Sequence, residues 1–194
     1  MNTAVMPAAA VQARARAVGT GLWLFIGVAT TLFTLFIFAY GMRMVDAPDW
    51  SPIRLPGPLW LSTGLLLAGS VLMHGAARAA RAGVQPRARR LLMAGGIAAM
   101  AFLGSQLWAW QALVDARVML AGNPAASFFY VLTALHGLHV AGGLLAWSAA
   151  DPTAAWRVEL CARYWHFLFV VWVALFGALG LLTPEIVRAI CGRG

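Results

Sequence analysis

Hydrophobic side chains in this chain fall in long blocks separated by short polar stretches. Five blocks, about residues 19–42, 58–77, 91–113, 128–148 and 164–187, hold roughly 20 residues or more each. At ~1.5 Å per residue, each can cross a ~30 Å hydrocarbon layer as an α-helix. The alternating ten-residue strands of a membrane barrel do not occur. The pattern predicts an all-α integral membrane protein, a five-transmembrane-helix bundle over residues 19–187. A cytoplasmic N-terminal tail is expected over 1–18 and a C-terminal tail over 188–194.

The connections are too short for a soluble domain. Segment 43–57 carries Pro48, Pro52, Pro56 and Gly57 and reads as an irregular loop. Segment 114–127 contains Gly122, Asn123 and Pro124, and segment 149–163 mixes Asp151, Arg157, Glu159 and Arg163. Segment 78–90 holds five arginines and no acid. Composition agrees with lipid as the solvent: 62% of the 194 residues are hydrophobic and 10% are charged, where soluble domains carry about 25% charged residues.

All 14 basic residues are arginine. With the N-terminus cytoplasmic, nine of them (Arg14, Arg16, Arg78, Arg81, Arg87, Arg89, Arg90, Arg157 and Arg163) fall inside. Five (Arg43, Arg54, Arg117, Arg188 and Arg193) fall outside. That excess orients the N-terminus to the cytoplasm and the C-terminus to the periplasm of a bacterial plasma (inner) membrane. The net charge of +8 is then a topology and headgroup signal, and no nucleic-acid partner is expected, since no basic soluble face exists to read one. Arg14 and Arg16 precede the first block without a cleavable apolar core before them, so residues 1–18 read as a tail and not as a secretory signal. Cys161 and Cys191 fall on opposite sides of the membrane and form no metal framework.

Candidate chemistry sits in two runs, FFYVLTALHGLHVAGG at 128–143 and YWHFLFVVW at 164–172. Thr133, His136 and His139 recur every three residues and so share one helix face. Imidazole suits haem or copper, which makes the four histidines candidate ligands. His136 and His139 share a helix and cannot flank one haem. His139 lies roughly 13 Å into its span and His166 roughly 4 Å into the next, an offset that disfavours that pair. His74 with His166 has matching depth and stays open as a pair. The competing reading, histidines hydrogen-bonded between helices, is preferred. None of the six acids sits centrally in a span: Glu159 is placed in a loop and Glu185 at the outer end of the last helix. A deep carboxylate relay is therefore not expected. Gly64 with Ala68, and Gly95 with Ala99, suit close helix contact, and Ser105, Gln106 and Gln111 can bond neighbouring helices.

The two runs resemble the signature segments of subunit III of the haem–copper cytochrome c oxidases, and GLWLFIGVATTLFTLFIFAY at 21–40 resembles the family's preceding helix. The resemblance spans roughly residues 17–184, in matching order. It implies the short five-helix form of the oxidase subunit III fold. It also implies a non-catalytic subunit of an aerobic respiratory enzyme complex, with no catalytic, cofactor or metal site of its own. Thr133, His136, His139, Tyr164, Trp165 and His166 are carried over as packing residues of the signature. The haem and copper are implied in subunit I. The implied partners are subunit I, subunit II and membrane lipids, and the implied role is to stabilise subunit I and support its proton uptake. Where family members often carry a Glu and an Asp, this chain has Ala29 and Phe169, so no role of those carboxylates transfers. Loss of two helices also leaves open whether the lipid-filled cleft of longer members exists here. The alternatives are a subunit III-like accessory protein of nitric oxide reductase and, from another class, a haem b membrane anchor.

Overall fold

The structure, a computed structural model, describes residues 8–46, 50–51, 53–120 and 123–190. Among these, the helices are α1 (Ala8–Asp46), α2 (Pro58–Arg81), α3 (Gln85–Asp115), α4 (Pro124–Ser148), α5 (Ala155–Leu181) and the short α6 (Pro184–Ile190). The first five are each long and apolar enough to cross a membrane, and no strand occurs among the described residues. The chain is thus an all-helical membrane protein. Residues 1–7 of the expected tail, and Cys191 with the rest of the C-terminus, lie outside the described residues.

Local signals set most helix ends. Pro58 and Pro124 stand in the first turns of α2 and α4, where a missing N–H is harmless. Asn123 caps α4 through its side-chain oxygen, which accepts from the Ala126 N–H at 3.0 Å. At the end of α2, Gly83 takes φ +72°, and the Val84 N–H reaches back to the Ala79 carbonyl at 3.0 Å. That left-handed glycine lets the chain reverse directly into α3. Between α4 and α5, the Asp151 carboxylate accepts from the Thr153 N–H at 2.9 Å, and this contact holds its pKa below the usual carboxylate value.

The helices run beyond the apolar blocks read from the sequence, most of all at the starts of α1 and α5. The helix α1 begins at Ala8 rather than near residue 19, and α5 begins at Ala155 rather than near 164. The polar residues ahead of each apolar block continue the helix, because helix geometry does not stop where the hydrocarbon does. Glu159, placed in a loop above, is therefore helical. At the other end, the chain turns extended at Leu182 and restarts at Pro184. The residue before a proline is disfavoured in helical backbone, and this splits the last block into α5 and α6.

The helix α2 packs along α3 and α5; α5 also meets α1 and α4; α4 bridges α3, α5 and α1. The best-buried aromatic side chains, Trp165, Trp172, Phe102 and Phe129, lie with His136 on α3, α4 and α5, and Leu59, Leu66 and Met73 of α2 are as deeply buried. The helix α1 is peripheral: 11% of its apolar window is buried, against 33–44% in the other four.

Candidate functional site

The signature residues meet where α4 and α5 pack against α1, α2 and α3. Thr133 works in two directions. Its hydroxyl donates to the Phe129 carbonyl one turn back, at 2.7 Å, and accepts from the Trp110 indole N–H at 3.1 Å. That second bond ties α3 to α4. Tyr164 donates its hydroxyl to the His139 carbonyl at 3.0 Å, and its ring lies over Gly143. A methyl group at Gly143 would come within 2.9 Å of that ring, so the glycine is what lets α5 approach α4.

The three signature histidines differ from one another. His136 is fully buried, and its ring stands 5.3 Å from Trp172, 5.6 Å from Phe102 and 6.2 Å from Phe33, centroid to centroid. Neither of its nitrogens has a hydrogen-bond partner among the described residues. His139 lies next to Leu135's carbonyl, 2.8 Å from Nδ1, within its own helix, with Phe25 and Phe33 against its ring. His166 alone bonds another helix, through Nδ1 to the Ser70 Oγ of α2 at 2.5 Å. The bond between helices expected of the histidines is thus made by His166 among the described residues. At the level of His136 the neighbours are aromatic faces, and His139 turns back on the Leu135 carbonyl one turn earlier in its own helix. Trp165 is fully buried with its indole N–H likewise unpartnered among the described residues.

Facing separates His139 from His166 as well. Tyr164 turns to α4, whereas His166, two residues and about 200° further round the helix, turns to α2 and stands 5.5 Å from His74. Among the described residues no group of three or more His, Cys, Asp and Glu gathers to hold a metal ion.

Other contacts were less legible. Ser70 carries no motif, yet it positions His166. The Trp147 indole donates to the Leu92 carbonyl at 2.7 Å across α4 and α3, and lies where a methyl on Gly96 would sit 2.3 Å from it. Trp172 donates to Thr63 at 2.9 Å, linking α5 to α2. Of the polar residues expected to bond neighbours on α3, Ser105 lies 2.7 Å from Ser62 of α2. Gln106 is buried without a partner among the described residues, and Gln111 is exposed. Gly64 faces open space, whereas Gly95 receives the Met73 thioether, a contact of 2.8 Å for an added methyl.

A groove of about 510 Å³ opens between α1 and the ends of α4 and α5. Leu22, Phe25, Leu160 and Tyr164 form apolar walls, and Arg14 and Arg157 stand at its lining. The Arg157 guanidinium lies 5.3 Å over the Trp156 ring. Ala29 is buried, and Phe169 is half-buried.

No family model matches the chain. Curated proteins do. The chain is 31% identical over 179 residues to cytochrome c oxidase subunit 3 of Synechocystis sp., covering 84% of this chain and 74% of that one. It is 30% identical over 176 residues to cytochrome c oxidase subunit 3 of Alkalihalophilus pseudofirmus, covering 84% and 85%. It is 27% identical over 176 residues to cytochrome bo(3) ubiquinol oxidase subunit 3 of Pseudomonas aeruginosa, covering 84% and 83%.

Proposed function

The chain belongs to the cytochrome c oxidase subunit III family, and from that premise we propose that it is the non-catalytic subunit III of a respiratory haem–copper terminal oxidase. In this reading it packs on subunit I, with subunit II in the same complex, and the haems and copper that reduce oxygen reside in subunit I. Its work is to stabilise that subunit and support proton uptake from the cytoplasmic side. The observation that carries the reading is where the signature side chains go. Thr133 joins α3 to α4, Tyr164 joins α5 to α4, and His166 joins α5 to α2. Each is committed to holding helices together, as a scaffold requires.

The groove between α1, α4 and α5 fits an annular phospholipid, with acyl chains along Leu22 and Phe25 and a headgroup near Arg14 and Arg157. Cations at interfacial depth attract anionic headgroups. We place this groove in the role the longer family members give to their lipid cleft. The membrane is a bacterial plasma membrane, with the N-terminus in the cytoplasm and the C-terminus in the periplasm. Cytochrome c is the electron donor in the first reading. The quinol alternative rests on the relative named as a ubiquinol oxidase subunit.

Oxygen uptake by purified complexes with and without this chain tests the role. Without it, initial activity is retained and then decays faster during turnover, while the haem spectrum stays unchanged. Absence of initial activity with intact haems would mean direct participation in the reaction. Identical time courses would remove the supporting role.

A further inference from the structure

The outer seam between α2 and α5 carries a polar stripe that the scaffold reading uses only in part. Contacts at both ends fix its register. The Arg81 guanidinium pairs with Glu159, and three turns back along α2 the Ser70 hydroxyl meets His166. The order of these contacts makes the two helices antiparallel. On α2, Ser70, His74, Arg78 and Arg81 follow at steps of four, four and three; on α5, Glu159, Arg163 and His166 follow at steps of four and three. Such spacings keep each set on one helix face. Arg78 and Arg163 are thus bracketed by the two contacts and stand at about one level. Both are exposed, and the one acid of the stripe, Glu159, is taken by Arg81.

The stripe changes character along its length. One turn inward from the arginines, the exposed His74 and the half-buried His166 lie with ring centres 5.5 Å apart. Beyond them the exposed side chains are aliphatic: Val71 and Leu67 precede His74 on α2, and Val170 follows His166 on α5. At 1.5 Å per residue, Arg78 to Leu67 covers roughly 16 Å, about half of a ~30 Å hydrocarbon layer. From the end of the bundle inward, the seam therefore offers two guanidiniums, two imidazoles and an apolar strip. A phospholipid presents its phosphate, its glycerol esters and its acyl chains in the same order. Charge selects among phospholipids. Guanidiniums grip phosphate oxygens through paired N–H donors, and two of them without an acid favour an anionic headgroup over a zwitterionic one. A soluble anion or a protein carboxylate would engage the arginines and leave the two lower levels without a role.

We propose that the α2–α5 seam binds one anionic phospholipid. Its phosphate sits at Arg78 and Arg163, its glycerol region at His74 and His166, and its acyl chains run along Leu67, Val71 and Val170. The site shares no lining residue with the groove between α1, α4 and α5. A lipid here straps α2 to α5 beside the Ser70–His166 bond.

The test is native mass spectrometry of the delipidated full-length chain in mild detergent. The chain is titrated with phosphatidylglycerol or with phosphatidylcholine of the same acyl chains. Arg14→Gln/Arg157→Gln silences the groove, so the preference that remains reports the seam. In that background one phosphatidylglycerol is expected to bind more tightly than phosphatidylcholine. Adding Arg78→Gln/Arg163→Gln, at two exposed positions, is expected to weaken it by about 30-fold, roughly five-fold for each arginine near a headgroup, with helicity unchanged. Arg78→Lys/Arg163→Lys, which keeps both charges, is expected to retain the preference. Equal binding of the two lipids, or a preference that survives loss of both seam arginines, overturns the proposal. So does a preference lost equally in the lysine variant. Displacement of the lipid by an equal concentration of inorganic phosphate would mean a free-anion site. Release of the glutamine variant from co-purifying subunits, with its lipid count unchanged, would mean a protein carboxylate. The lipid counts themselves are independent of the subunit III reading.

Discussion

Glycines decide the closest approaches at the scale of single residues. A methyl group at Gly96 would meet the Trp147 indole at 2.3 Å, and that indole is pinned by its bond to the Leu92 carbonyl. Gly96→Ala is expected to destabilise the bundle by about 1–3 kcal/mol, the range for overpacking a filled core. Gly104→Ala, on the same helix with nothing near its added methyl, is expected to be neutral or slightly favourable. Thermal unfolding of both variants in detergent, followed by circular dichroism, compares them. If Gly96→Ala is as stable as Gly104→Ala, Trp147 is not held as described. The histidines sort by the same logic. His136 has unpartnered nitrogens in an aromatic nest, so His136→Phe is expected to be tolerated, because it removes polar atoms that gain nothing there. Thr133→Val strips the acceptor from Trp110 and is expected to lose about 0.6–2 kcal/mol. Unfolding midpoints of the two variants should move in opposite order to their volume changes. A His136→Phe loss larger than that of Thr133→Val would mean that the His136 nitrogens gain something in that nest, or that it has no room for the larger ring.

At the scale of elements, the α2–α3 hairpin and the head of α5 carry the orientation argument. Arg81 of α2 meets Glu159 of α5 at 2.5 Å, with 59% and 23% of the two side chains exposed. Such a pair is worth within about 1 kcal/mol and is screened by salt. Glu159→Gln should therefore barely shift the unfolding midpoint, and the shift should vanish at high ionic strength. A large salt-independent loss would place the pair at a buried contact with another subunit. The hairpin also provides the topology test. The left-handed Gly83 would be strained by a side chain, so the exposed Val84 is the better label site. In a cysteine-free background, Val84→Cys is expected to react with a membrane-impermeant thiol reagent only after the cytoplasmic side is opened. Labelling from the periplasm would invert the orientation and move Arg14 and Arg157 to the other surface.

For the whole molecule, the scaffold reading depends on α5, which meets α1, α2 and α4, tying the bundle together while α1 stays peripheral. Gly143 sits between α4 and α5, where an added methyl would meet Tyr164 at 2.9 Å and Leu168 at 3.3 Å. Gly143→Leu should separate them and break the Tyr164–His139 bond that joins them. The expected outcome is loss of this chain from the oxidase after mild detergent extraction, read by quantitative blotting against subunit I. Retention at parental levels would mean that the α4–α5 seam does not govern assembly.

The number of membrane helices, their approximate positions and the family were legible in the sequence. Each rests on a local or additive property: the length of an apolar block or a run of residues in order. Asn123 and Pro124, read as part of a connection, instead cap and open α4 four residues before the apolar block. The helix extensions into the polar flanks were not legible, because polarity marks where lipid ends and not where backbone hydrogen bonding ends. Partner choice was the other gap. His136, His139 and His166 look alike along the chain, yet one is caged by rings, one leans on its own helix and one bonds Ser70. Which carbonyl, hydroxyl or aromatic face stands opposite a side chain depends on rotation and offset between packed helices, and those are set jointly by glycines and large side chains distant in sequence. The meeting of His74 with His166 arises in that way: matched depth permitted it, and the packing of α2 on α5 decided it.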